Sequence, residues 1–147
     1  MKKQPAEGSV RVDIASDTMA ARRLQQRIVR ELRTTSFDGR EILGIKLALE
    51  EALVNAVKHG NRLDPNKKVH IEYRVAADRI DIRIADEGPG YDPNRVPDCK
   101  ADANLERPGG RGLLLMRHYM TEVTVLPPGN ALVMSKVHAN GYAHKSD

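Results

Sequence analysis

One stretch of the chain is too rich in glycine and proline to form regular structure, and it divides the sequence into two halves. Five of the eleven glycines and four of the eight prolines lie between Gly88 and Gly112. An irregular segment of this length in a small domain is usually functional or disordered. On both sides of it the apolar residues recur at regular spacing, so the fold must bring two ordered halves together around a long loop.

The apolar spacing in the first half predicts a strand, two helices and a hairpin. The predicted ranges are 9–14 for the strand, 18–33 and 38–59 for the helices, and 69–75 and 79–85 for the two hairpin strands. Ser16 or Asp17 is placed to cap the first helix, and Asp38 is placed to cap the second. Gly60 follows the second helix as its terminator.

The second half predicts one helix and a second hairpin. The predicted ranges are 112–120 for the helix and 122–126 and 131–137 for the strands, with Pro-Pro-Gly-Asn at 127–130 between them. The order β-α-α-β-β-loop-α-β-β predicts the α+β class, with a two-layer α/β sandwich. We expect a mixed, mostly antiparallel sheet covered by about three helices, in one domain of residues 1–147 with a frayed tail at 139–147.

The composition limits the number of domains, the type of core and the compartment that we expect. The 147 residues leave room for one domain, and the 3% aromatic content means that the core must be aliphatic. No apolar run approaches the roughly 18 residues that a membrane span needs. The basic start of the chain is followed by no apolar segment, and the single cysteine, Cys99, can form no internal disulfide. We therefore expect a cytoplasmic protein with no membrane contact.

The positive charge is concentrated at the start of the chain. Residues 1–33 contain eight Lys and Arg against four Asp and Glu, which accounts for the whole net charge of +4. A basic first helix suits an acidic partner protein or a nucleic acid, or is simply a solvated helix face. Since no aromatic residues alternate with the arginines, direct binding of nucleic acid is the less favoured of these alternatives.

The predicted second helix carries a polar line through an apolar surface. Glu51, Asn55 and His59 are spaced by four, so they are expected to lie one above another on the helix. A carboxylate among apolar neighbours is costly to bury unless a partner offsets the cost. The plainer interpretation is a partly exposed Glu and an Asn that makes ordinary hydrogen bonds.

Two glycine-rich segments lie next to predicted strands or helices. Asp86 ends a predicted strand and is followed by Gly88 and Gly90, so backbone there can approach a ligand and the carboxylate can accept a hydrogen bond from an amine. Gly110 and Gly112 precede a helix, whose free N–H groups suit phosphate. Taken singly, each segment is also compatible with a simple turn or linker.

Together, and in this order, the three segments resemble the motifs of the GHKL ATPases. The run from Glu51 to Asn61, EALVNAVKHGN, resembles the N box of that superfamily. The pattern Asp86-x-Gly88-x-Gly90 resembles its first glycine box, and Gly110-x-Gly112 resembles its second. The resemblance spans roughly residues 38–137 and implies a Bergerat-type ATP-binding fold.

Size distinguishes among members of the superfamily. Gyrase-like and mismatch-repair members carry large extra domains, and sensor histidine kinases carry a dimerisation helix pair, which 147 residues do not accommodate. The run GGRGLLLM at 109–116 is similar to that of stand-alone bacterial anti-sigma-factor serine/threonine kinases. The resemblance implies phosphorylation of a STAS-type anti-anti-sigma protein, sequestration of a sigma factor, and a homodimer as a further expectation.

The resemblance also implies a role for each motif residue. Glu51 would be the general base, and Asn55 would bind Mg²⁺ and ATP. Adenine would be bound by Asp86, Gly88 and Gly90. Phosphate would be bound by Arg107, Gly110, Arg111 and Gly112. Residues 91–108 would form a flexible nucleotide lid, and Asn130 stands where many members have Thr, which puts one minor nucleotide contact in doubt.

Two other functions remain open at this point. One is a non-catalytic module that senses ATP or ADP and sequesters a regulatory partner, which a dispensable Glu51 would favour. The other is direct nucleic-acid binding through the basic first helix, whose signature would be a steep salt dependence.

Overall fold

Residues 8–90 and 111–139, which the computed structural model describes, form an antiparallel sheet with helices on one face. The strands are β1 (Val10–Ala15), β2 (Lys68–Val75), β3 (Arg79–Ala85), β4 (Glu122–Leu126) and β5 (Ala131–Val137). The helices are α1 (Thr18–Leu32), α2 (Gly39–Val54) and α3 (Leu113–Tyr119), and a π-helical turn (Asn55–Gly60) extends α2. The proposed lid at 91–108 and the tail from 140 lie outside the described residues.

The strand order is β1-β2-β3-β5-β4, and all four pairings are antiparallel. The register aligns an apolar row across all five strands, made of Val12, Ile71, Ile84, Leu132 and Val125. Because side chains alternate between the faces of a strand, the residues of this row lie on the same face of the sheet. This is the face that packs against the helices. The predicted α+β class and two-layer architecture are confirmed, and each predicted strand is present.

The core between the sheet and the helices is mostly aliphatic, as the composition predicts, with Phe37 and Tyr73 as its buried aromatic residues. Ile28 and Leu32 of α1 and Ile45 and Leu49 of α2 have no exposed surface. Burying side chains of this size contributes roughly 1.5–3 kcal/mol each relative to leaving them exposed. None of the helices in the described ranges is long and apolar enough to span a membrane.

Side-chain caps fix where the two long helices begin. Asp17 accepts a hydrogen bond from the Met19 N–H at 3.0 Å, so it is Asp17 rather than Ser16 that caps α1. Asp38 and Glu41 form a reciprocal capping box at the start of α2, with distances of 2.8 and 3.0 Å. Glu41 also contacts Nδ1 of His138 at 2.7 Å, which ties the end of β5 to this helix.

The last turn of the predicted second helix differs from expectation. The α-helix ends at Val54, and residues 55–60 wind as a π-helical turn instead of continuing the α-helix to His59. The wider turn breaks the spacing of four, so Asn55 is buried whereas His59 is exposed. The predicted polar line therefore ends at Asn55. Single π turns within α-helices occur frequently at functional sites.

Candidate functional site

Glu51 and Asn55 face the same point, which is occupied by the backbone of Gly112. A Cβ atom at residue 112 would lie 2.7 Å from Oε1 of Glu51 and 2.9 Å from Nδ2 of Asn55. Glu51 lies in the last turn of α2, Asn55 begins the π turn, and Gly112 immediately precedes α3. Gly112 is thus brought to two residues of a distant part of the sequence at the junction of α2 and α3.

Asn55 has an unsatisfied polar group at this junction. Its side chain is 9% exposed, and its Nδ2 has no hydrogen-bond partner among the described residues. A buried donor without an acceptor is costly, so its persistence points to a ligand that supplies one. Phosphate oxygens are acceptors, and the amide oxygen of the same side chain is a ligand type that Mg²⁺ takes. The residues present therefore fit a magnesium–phosphate group.

The Asp86 carboxyl lies in a tight loop after β3. The Asp86 N–H donates to the Asn130 carbonyl at 2.8 Å, and Nδ2 of Asn130 donates to the Asp86 carbonyl at 3.2 Å. The Gly88 N–H donates to Oδ1 of Asp86 at 2.8 Å. Burial raises the pKa of Asp86 by more than the Gly88 hydrogen bond and the Lys67 charge lower it. Partial desolvation of this kind is typical of a carboxylate placed to bind a polar ligand.

The glycines of this loop are required by close contacts within the protein. A Cβ at Gly88 would lie 2.1 Å from the Gly60 carbonyl oxygen, and one at Gly60 would lie 2.2 Å from Cγ of Asp86. Gly90 has a φ of +83°, and a Cβ there would lie 2.5 Å from the Pro128 carbonyl oxygen. The π turn and the β4–β5 turn thus form the walls of the Asp86 loop. An approach of Gly88 and Gly90 to a ligand stays a prediction.

The sequence does not indicate which residues support this loop, although Asn61 ends the N-box run and Asn130 stands where many members have Thr. Asn61 accepts from the Glu87 N–H at 2.7 Å. His70 joins Asp13 of β1 at 2.8 Å to Glu87 at 2.7 Å, and hydrogen bonding to Asp13 is the largest cause that raises the His70 pKa. Asn130 bridges the loop backbone rather than standing free. These contacts depend on strand register, which a single sequence does not disclose.

Not all the predicted residues lie in the described part of the chain. The cluster at the α2–α3 junction contains Glu51, Asn55 and Gly112, and the second cluster contains Asp86, Gly88 and Gly90. Gly60 connects the two, since it ends the π turn that Asn55 begins. Arg111 is exposed next to Gly112. Arg107 and Gly110 lie outside the described residues.

No group of three or more His, Cys, Asp or Glu side chains with metal-binding geometry occurs within residues 8–90 and 111–139. The polar groups of the site are instead one carboxylate and one amide at the α2–α3 junction and one carboxylate in the loop after β3. The arrangement can bind a phosphate-bearing ligand at the first cluster and an amine donor at the second.

Comparison with known proteins gives a consistent result. The family profile described as "Histidine kinase-like ATPase domain" matches residues 14–136. The serine-protein kinase RsbW of Bacillus subtilis is 35% identical over 109 residues, which cover 69% of this chain and 67% of that protein. The anti-sigma F factor of Oceanobacillus iheyensis is 34% identical over 102 residues, covering 65% of this chain and 69% of that protein.

A solved structure shares the fold. The crystal structure of the RsbU and RsbW domains of a Mycobacterium tuberculosis protein superposes with a TM-score of 0.59 at 19% identity. The match covers 88% of this chain and 31% of that chain, so the present chain spans about a third of the length of that protein. At this identity the likeness concerns the architecture of the sheet and helices.

Proposed function

The chain belongs to the family of histidine kinase-like ATPase domains, and from that premise we infer that it is an ATP-dependent serine/threonine protein kinase acting as an anti-sigma factor. The observation that supports this most strongly is the convergence of Glu51 and Asn55 on Gly112, with the Asn55 amide nitrogen unsatisfied. A carboxylate that can act as a base, side by side with an amide that can bind phosphate, is suited to phosphoryl transfer from ATP.

Asn55 would hold Mg²⁺ through its amide oxygen. The ion, when bound, neutralises charge on the transferred phosphoryl group. Gly112 and Gly110 would present backbone N–H groups to the phosphates, and Arg111 and Arg107 would offset the remaining negative charge. The missing side chain at Gly112 leaves room for the side chains of Glu51 and Asn55 beside the start of α3.

Glu51 would act as the general base. It would take the proton of a Ser or Thr hydroxyl while that oxygen bonds to the γ-phosphorus and the bond to the leaving ADP breaks. Its position on the last turn of a capped and packed helix restricts its movement, and a positioned base contributes typically 10²–10⁴-fold to the rate. Asp86 would accept a hydrogen bond from the adenine amino group, and Gly88 and Gly90 would lie beside the adenine ring.

The partners follow the same inference. The protein that accepts the phosphoryl group would be a STAS-type anti-anti-sigma protein, and the sequestered protein would be a sigma factor. The names of the similar proteins, a serine-protein kinase and an anti-sigma F factor, support this assignment. We further propose that the protein acts in the cytoplasm and as a homodimer.

Substitution of the proposed base separates transfer from binding. We expect Glu51→Gln to retain the affinity for ATP and to lose transfer by a factor of about 10²–10⁴, since the amide cannot accept the hydroxyl proton. Calorimetry with ATP and transfer of the γ-phosphoryl group to a Ser/Thr acceptor measure the two properties. The matched control is Glu50→Gln, one residue earlier and exposed.

Equal transfer by Glu51→Gln and Glu50→Gln would remove Glu51 from the reaction. Tight ATP binding by the unsubstituted chain without any transfer would instead favour the non-catalytic module that senses ATP or ADP.

A further inference from the structure

We infer that Asn61 is a positioning residue that selects adenine by holding the loop from Asp86 to Gly88 in place. The inference rests on the proposed function, because it assumes that Asp86 contacts the base. Asn61 directly follows the π turn, and its side chain is only 1% exposed. The described hydrogen bonds of its side chain all go to protein groups, so its effect would pass through the loop.

The Asn61 amide joins its own turn to three other segments of the chain. Its Oδ1 accepts from the Glu87 N–H at 2.7 Å, within the loop. Its Nδ2 donates to Oγ of Ser16 at 2.9 Å and to the Lys68 carbonyl at 2.9 Å. Ser16 lies at the junction of β1 and α1, and Lys68 begins β2. The loop is thereby fixed relative to two strands and a helix that form the framework of the domain.

Other contacts to the loop are weaker constraints. His70 reaches the Glu87 side chain, but the His70 side chain is 43% exposed, so water can replace that contact. Asn130 holds the Asp86 backbone from the β4–β5 side. Asn61 is almost completely buried, so bulk water does not readily replace its contact with the loop.

The position of Asn61 affects the Asp86 carboxylate through the neighbouring residue Gly60. Its neighbour Gly60 contacts that carboxylate so closely that a Cβ there would lie 2.2 Å from Oδ2. The carbonyl of Gly60 also contacts Gly88. A change in the position of Asn61 therefore shifts both sides of the loop.

Selection between bases is the property that this positioning controls. Adenine presents an amino donor at the position where guanine presents a carbonyl acceptor. A carboxylate fixed opposite that position accepts from the first and repels the second. If the loop is released, the carboxylate can move or become hydrated, and the preference for ATP over GTP decreases.

The test compares nucleotide preference in variants of the full chain. ATP and GTP are titrated by calorimetry into the unsubstituted protein, Asn61→Ala and Asn66→Ala, with the melting temperature recorded for each. Asn66 is the matched control because it lies in an exposed turn and its side chain does not reach the loop. We expect Asn61→Ala to reduce the ATP/GTP preference about tenfold, the loss typical of one hydrogen bond, and Asn66→Ala to leave it unchanged.

The outcomes separate the inference from its premise. An unchanged preference in folded Asn61→Ala, even with a lower melting temperature, would show that Asn61 is merely structural and would overturn the inference. Equal binding of ATP and GTP by the unsubstituted protein would overturn the assignment of Asp86 itself. If Asn61→Ala does not fold, Ser16→Ala decides, because it removes one partner of Nδ2 and leaves the loop untouched. A reduced preference in that variant supports the inference, and an unchanged one contradicts it.

Discussion

Gly112 lies where Glu51 and Asn55 converge, and the space there is smaller than a methyl group needs. Distances of 2.7 and 2.9 Å from a Cβ to the two polar atoms are below any normal contact. Alanine at this position would therefore displace the base, the amide or the start of α3. The sequence pattern Gly-x-Gly before a helix indicates a phosphate loop, whereas the structure adds that the glycine also makes room for these two side chains.

We expect Gly112→Ala to reduce phosphoryl transfer by about 10²-fold, since a displacement near 1 Å at reacting groups has effects of this size. The control is Gly39→Ala at the start of α2, where a Cβ would meet nothing within 4 Å. Transfer rates and melting temperatures of both variants provide the comparison. Full activity of Gly112→Ala would show that the two side chains do not need their present positions.

The Asp86 carboxyl predicts a pH dependence of nucleotide binding. Because burial raises its pKa, the group takes up a proton at a higher pH than an ordinary Asp. Above the pKa that Asp86 has in the unfolded chain, ionisation of this buried group destabilises the unliganded fold. Protonation of Asp86 on acidification removes that destabilisation. The ionised carboxylate is the stronger acceptor for an amine donor, so ATP affinity should weaken as the pH falls from neutral through the raised pKa of Asp86. Calorimetry over this range should show the trend, and Asp86→Asn should abolish it.

At the scale of elements, the start of α2 joins the end of β5 through one carboxylate. Glu41 caps the helix and also accepts from the Ala139 N–H at 2.8 Å. Burial raises the pKa of Glu41. The hydrogen bonds from Asp38, Ala139 and His138 together lower it by more, so the net shift is downward. The stabilisation is therefore complete above the ordinary pKa of Glu and is lost as the pH falls through the lowered value.

We expect Glu41→Ala to lower the free energy of unfolding by about 1–2 kcal/mol, because it removes the Glu41 half of the capping box and the contacts to His138 and Ala139. Urea denaturation at neutral pH measures this, with Glu50→Ala on the exposed face of the same helix as the control. The difference between the variants should decrease on acidification. Equal stabilities at neutral pH would show that the capping box contributes nothing.

Most elements could be predicted from the sequence because their signals are local. Alternation placed β2 and β3 to within a residue, and Asp38 marked the start of α2. The π turn could not be predicted, since nothing in the residues 55–60 distinguishes it from a last α-helical turn. It arises where Asn55 turns inward, towards Gly112, and Gly60 packs on Asp86. These contacts are set by the tertiary structure.

For the molecule as a whole, the site is built where the two halves of the chain meet. The motifs and their order predict Glu51, Asn55 and Asp86 as site residues without any coordinates, because the three segments together resemble the GHKL boxes. The supports at Asn61, His70 and Asn130 were not predictable as such, because each acts across strands whose pairing a single sequence leaves open. The residues proposed to contact the ligand are thus easier to predict from sequence than the residues that hold them.

The most direct test of the account is phosphosite mapping on proteins that the chain captures from extract of its native cells, with Mg-ATP and with Mg-ADP. Asp86→Ala serves as the control for nucleotide dependence. We predict new phosphoserine or phosphothreonine on a small STAS-type protein in the presence of Mg-ATP only, together with capture of a sigma factor. Nucleotide-dependent capture without any phosphorylated protein would contradict the assignment as a kinase.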